Sequence, residues 1–157
     1  MKLLFKQRFF SWLDSYDIYD DSGRAVYTVS GKLAWGHKLV ITDALDREVG
    51  MVREELLTLM PRFAIFLDGR EVGEIRKEFT LLKPSFRLDC MGWQVQGDWL
   101  EWDYQIVDGM GATVATITKE LMHWTDTYVL DIRDETYAVY VLMIALAIDA
   151  AKCSAGN

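Results

Sequence analysis

Residues 138–148 read AVYVLMIALAI, a run without a charged side chain. Val139, Val141, Leu142, Met143, Ile144, Leu146 and Ile148 fall at every angle round a helix, so no face is left for water. Asp134 and Glu135 precede the run where a helix N-terminus favours negative charge. Lys152 and Gly156 follow it where a C-terminus favours a cation and then a stop. The spacing predicts a helix from about Glu135 to Cys153. Its uncharged stretch falls well short of the roughly 20 residues that span a bilayer, and Asp149 and Lys152 interrupt any extension. The run therefore reads as a core helix with no transmembrane span, and such a helix needs cover on all sides.

Upstream, the chain carries a repeat. VYTVSGKL (Val26 to Leu33), VGMVREEL (Val49 to Leu56), VGEIRKEF (Val72 to Phe79) and VATITKEL (Val114 to Leu121) share a valine, a Val or Ile three positions later and a Leu or Phe seven later. A turn signal precedes each copy: Asp20 to Gly23, Asp43 to Asp46, Asp68-Gly69, and Asp108 to Gly111. An apolar or aromatic stretch leads into each turn, so the unit is strand, tight turn, strand. On these strands Gly50 shares a face with Val52, Gly73 with Ile75 and Ala115 with Ile117. Small residues there let a curved sheet bend or another element come close. The longer step from Val72 to Val114 holds a degenerate unit, FRLDCMGWQVQGDWLEW (Phe86 to Trp102). A last pair, Leu121 to Trp124 and Thr127 to Ile132, is read as turning at Asp126 and feeding the helix. Pro61 and Pro84 belong at strand starts or edges.

This gives about ten to twelve strands followed by one helix, one domain over residues 1–157. An open antiparallel sheet of that length would leave two hydrogen-bonding edges and an exposed apolar face. Closure removes both. A barrel of about eight strands is filled by its own side chains, whereas one near twelve has a lumen that needs filling. A helix, roughly 10–12 Å across, fits that need. The fold class expected is mainly β: a closed antiparallel barrel of about twelve strands enclosing a central hydrophobic C-terminal α-helix.

A formal net charge of −7 disfavours non-specific contact with nucleic acid or an anionic membrane, and no nucleic-acid partner is expected. Cys90 and Cys153 are too few and too far apart for a disulfide framework, which points to free thiols and a cytoplasmic location. In the opening MKLLFKQRFFSWL, Lys6 and Arg8 break the apolar stretch that a secretory signal requires. His37 and His123 lack metal-ligand spacing, and no nucleophile motif, GxGxxG or Walker sequence occurs. No catalytic residue, metal or cofactor is therefore assigned. Asp21, Asp43, Asp46, Asp68, Asp108 and Asp126 are read as turn residues. Trp99 and Trp102 are read as aromatic packing, and Asp149 as a carboxylate at the barrel mouth with a partner. The best basic cluster is Arg76, Lys77, Lys83 and Arg87, flanking Phe79 and Phe86; Glu71, Glu74 and Glu78 stand near enough to balance it.

From FKQRFFSW through YDIYDDSGRAVYTVSGKL, FTLLKPSFRL, GDWLEWDYQIVDG and TITKELMHWTDTYVLDI to ALAID, the order and spacing resemble the LURP-one-related (LOR) family. That family lies within the Tubby C-terminal-like superfamily, which also includes phospholipid scramblases. The resemblance implies a twelve-stranded closed barrel around a central C-terminal helix. It transfers no functional residue. The expectation for function is a non-enzymatic binding or scaffold domain for an unknown ligand or protein partner. One alternative is a peripheral module that makes weak membrane contact, binding anionic, phosphoinositide-like head groups through Arg76, Lys77, Lys83 and Arg87. A second is a hydrolase with a surface carboxylate site.

Overall fold

The structure, a computed structural model, describes residues 1–6, 14–34, 36–79, 84–122 and 125–154. Its strands are β1 (Lys2–Lys6), β2 (Ser15–Asp20), β3 (Ala25–Ala34), β4 (Gly36–Asp43), β5 (Glu48–Glu54), β6 (Arg62–Leu67), β7 (Arg70–Phe79), β8 (Pro84–Asp89), β9 (Gln94–Asp98), β10 (Asp103–Val107), β11 (Thr113–Met122) and β12 (Thr125–Ile132). A 3-10 turn, Glu135–Tyr137, then leads into α1 (Ala138–Ser154). The strands form one antiparallel ladder in the order β8-β7-β6-β5-β4-β3-β2-β1-β12-β11-β10-β9. Chain neighbours pair everywhere except between β8 and β9, which are the two ends of the ladder, and β1 joins β12. The sheet thereby curls into a nearly closed barrel. Across the remaining seam, Phe86 on β8 meets Trp99 edge to face with ring centroids 4.5 Å apart.

Strand alternation sends one residue in two inward. Ile18, Val29, Leu39, Ile41, Val52, Phe63, Ile65, Ile75, Ile106, Ile117 and Leu130 are all fully buried on this face. They surround α1, in which every residue from Val141 to Ile148 is fully buried. Asp134 caps the helical segment by accepting from the Thr136 N–H at 3.0 Å. At the other end Lys152 donates from Nζ to the carbonyls of Trp99 (3.0 Å) and Leu100 (2.8 Å) and lies 4.6 Å from the centre of the Trp102 ring.

The hairpins share a construction that extends the sequence repeat. Each of β2–β3, β4–β5, β6–β7 and β10–β11 has a register shift just after an inward isoleucine: Ile18, Ile41, Ile65 and Ile106. In three of them an Asp follows two residues later. Asp20 Oδ1 accepts from the N–H groups of Ser22 and Arg24, Asp43 Oδ1 from Leu45 and Arg47, and Asp108 Oδ1 from Met110 and Ala112. The fourth, β6–β7, turns through Asp68 and Gly69, both at positive φ (46° and 77°), as a two-residue hairpin loop demands.

Several expectations are corrected in detail. In the first turn Asp20 supplies the carboxylate that closes it, and Asp21 occupies the turn itself. Leu121 and Met122 finish β11, and Asp126 lies within β12 rather than at a turn; residues 123–124 are outside the described residues. The degenerate unit supplies both β8 and β9, yet they do not pair; Trp99 meets Phe86 across the seam, while Trp93 packs edge to face on Tyr137 and Tyr140. Pro61 immediately precedes β6, and Pro84 opens β8 at the ladder's edge, where no donor is needed.

The small inward residues serve the close approach of α1. A Cβ on Gly50 would stand 2.8 Å from Val139 Cγ1 and 3.1 Å from Met143 Sδ. Gly50→Val is therefore expected to lower stability by about 1–3 kcal/mol through overpacking, measured by urea unfolding; an unchanged or raised midpoint would contradict the helix–strand contact.

Candidate functional site

Among the described residues, two hollows lie on the outside of the barrel. The larger described one is a groove of about 650 Å³ between the β5–β6 connection and β7, lined by Leu57, Thr58, Leu59, Met60, Pro61, Arg62, Arg76, Lys77 and Glu78. The connection is pinned at its base: the Glu55 N–H donates to the Arg62 carbonyl at 2.9 Å and the Lys77 N–H to the Pro61 carbonyl at 3.0 Å. Its tip stands away from the sheet. Leu57 adopts φ 64°, a left-handed conformation unfavourable for a branched side chain. A smaller hollow of about 390 Å³ lies at the opposite end of the barrel, beside Tyr27, Asp43 and Asp46.

The basic cluster read from the sequence divides. Arg62, Arg76 and Arg87 are successive cross-strand partners on β6, β7 and β8 and form a row on the outer face. Arg62 was not singled out by sequence because it lies 14 residues before Arg76, and only register brings the two together. Lys77 pairs with Phe86, which is buried, so it stands on the opposite side of β7, with Nζ 5.9 Å from the centre of the Trp99 ring. Lys83 lies outside the described residues. Carboxylates answer the arginines. Glu74 engages Arg76 and lies 3.8 Å from Arg62, Glu55 lies 3.7 Å from Arg62, and Glu78 lies 3.8 Å from Arg87.

Charge is distributed unevenly along the barrel axis. The turns at the N-terminal end of α1 carry Asp20, Asp21, Asp43, Asp46, Asp68, Asp108, Asp134 and Glu135. Counted in the same way, with strand-end residues included, the other end carries Asp14, Glu54, Glu55, Asp98, Glu101 and Asp103, together with the cations Lys6, Arg53, Arg62 and Lys152. Arginines hold Asp20 and Asp43 in the acidic turns: the Arg24 backbone N–H and guanidinium, and the Arg47 guanidinium, keep these carboxyls below the ordinary range. Such groups are structural and ionised, poorly suited to general-acid work.

Other reactive side chains are accounted for by their surroundings. His37 Nδ1 lies 2.5 Å from the Glu54 carboxylate across β4 and β5, and His123 is outside the described residues. Cys90 is buried, and its burial, with Asp89 alongside, pushes the thiol up to about 11, which keeps it unreactive. The side chain of Cys153 is not among those described. Trp99 and Trp102 are buried. No three His, Cys, Asp or Glu side chains among the described residues converge as a metal site, and no helix among them is long and apolar enough to cross a membrane.

A sequence profile described as LURP-one-related matches residues 1–149. The chain belongs to the LURP-one-related family. A curated relative, the uncharacterised protein YxjI of Bacillus subtilis (strain 168), is 29% identical over 150 residues, covering 95% of this chain and 92% of that protein. An X-ray structure of an Arabidopsis thaliana protein has a TM-score of 0.61 at 18% identity, covering 92% of this chain and 88% of that one. That likeness shows a shared fold. The LURP-one-related barrel described by the resemblance is thus the one present here, with its ladder left unpaired between β8 and β9.

Within the barrel of this LURP-one-related chain, Asp149 on α1 is largely removed from water near Tyr16, Tyr104 and Lys152. Burial raises its pKa to about 6, against the opposing pull of Lys152. Burial first, and Asp149 second, push the phenols of Tyr16 and Tyr104 upward. Because the folded carboxyl titrates above its unfolded value of 3.8, its proton stabilises the fold below pH 4, and that contribution is lost as pH rises through about 6. Asp149→Asn is expected to raise stability at pH 7–8 by roughly 1–3 kcal/mol and to flatten the slope between about pH 4 and 6. Denaturant unfolding at several pH values measures this; an Asn variant less stable at pH 8 would contradict the burial cost.

Proposed function

We propose that this chain is a non-enzymatic, cytoplasmic binding domain extending over residues 1–157 that works from its outer face, at the groove between the β5–β6 connection and β7. One observation carries the reading: α1 fills the lumen from Val141 to Ile148, so ligand recognition falls to the exterior. The groove has the mixed character of a recognition surface, with an apolar wall at Leu57, Leu59 and Met60 and a basic wall at Arg62 and Arg76. The absence of enzyme chemistry in the proposal follows from how the carboxylates are used, as turn acceptors and ion-pair partners. A fragment screen by amide NMR tests it. Binding is expected to shift residues 57–62 and 76–78; shifts centred on Ile144 and Leu146, or turnover of any fragment, would contradict it.

A second reading, head-group recognition by an anionic lipid surface, draws on the row Arg62, Arg76 and Arg87. It requires those guanidiniums to exchange Glu55, Glu74 and Glu78 for phosphate. Flotation on vesicles with and without phosphoinositide distinguishes it: binding should fall steeply as salt rises, and salt-independent binding would remove it.

A further inference from the structure

Leu57 and Leu59, at the tip of the β5–β6 connection, are as exposed as in an extended peptide (105% and 103%), and Leu56 beside them is half exposed (53%). Apolar side chains held this far out forgo the burial that stabilises the rest of the fold. The backbone adds a cost, since Leu57 occupies the left-handed region, which a branched side chain rarely visits. The base of the connection is fastened separately, at Glu55–Arg62 and Pro61–Lys77, and the two leucines lie beyond these ties.

We infer that this tip is a membrane anchor: Leu57 and Leu59 insert into the apolar margin of a bilayer, with α1 directed so that its C-terminus faces the lipid. The inference rests on the outer-face reading and names its partner. Two observations select a bilayer as the occupant. Leu57 and Leu59, which form part of the groove's apolar wall, are each fully exposed, and a fluid apolar phase covers such side chains without shape complementarity. The acidic turns lie at the far end of the barrel, so a chain of net charge −7 approaches a lipid surface by this end with least repulsion. The ion pairing of Arg62, Arg76 and Arg87 leaves the apolar contribution in charge. The attachment is therefore weakly dependent on salt, unlike head-group recognition.

The test is flotation of the full chain with vesicles of phosphatidylcholine alone and of phosphatidylcholine with phosphatidylglycerol, each at low and high salt. The wild-type chain should float with both vesicle types at both salt concentrations. Leu57→Asp or Leu59→Asp should each lower the partition about tenfold or more, the free energy of one buried leucine, and the double variant should not float. Both positions are fully exposed, so circular dichroism should show these variants folded. Leu45→Asp and Met110→Asp, exposed apolar residues in the acidic turns, should float as wild type. The inference is overturned by wild-type protein that does not float, by flotation that survives the double variant, or by flotation that needs phosphatidylglycerol and vanishes in salt. It is also overturned if the leucines mediate only self-association, seen in sedimentation as an oligomer that the double variant disperses. If flotation fails while fragments still shift residues 57–62, the bilayer is the wrong partner and the outer-face reading stands.

Discussion

A helix with no polar face must be enclosed, because each side left open would put several leucines, isoleucines and valines in water. In this chain that constraint sets the size of everything else. A barrel of about eight strands has no room for a helix, whereas twelve strands in one ladder enclose α1 with Val141 to Ile148 wholly out of solvent. The fit depends on inward positions being small where the helix comes closest, as at Gly50 against Val139 and Met143. Barrel and helix are each incomplete alone: the helix lacks a solvent face, and the barrel lacks a core.

The exterior follows from the same arrangement. Hairpins closed by Asp carboxylates place acidic turns at one end, and the connection between β5 and β6 places leucines at the other. With the inside filled by α1, the outside carries the chain's chemical asymmetry, on which the proposed recognition rests.

Much of the fold was legible because its signals are local. The valine repeat marks the second strand of each hairpin, although Leu56, the last residue of its second copy, lies beyond β5 and is half exposed; the Asp turns mark the reversals, and the uncharged run Ala138 to Ile148 marks the helix. What escaped depends on register or on distant contacts. The missing pairing of β8 with β9 is a relation between the two ends of the ladder, which no local spacing reveals. The candidate site was legible only in part. Arg76 and Arg87 were identified, but Arg62 joins them through strand pairing, and Lys77 leaves them because adjacent strand residues face opposite ways. The net charge of −7 read as uniform discouragement of anionic surfaces, whereas the acidic turns gather at one end. Leu57 and Leu59 were missed because an apolar pair in a short loop looks, in sequence, like ordinary core.

The central claim, that α1 is the core of the barrel rather than an appendage, is tested most directly by hydrogen exchange on a chain ending at Asp134. Without α1, amides in β5, β6 and β12 should exchange without protection and the chain should show no cooperative unfolding transition. A truncated chain that stays soluble, unfolds cooperatively and protects those amides would contradict it.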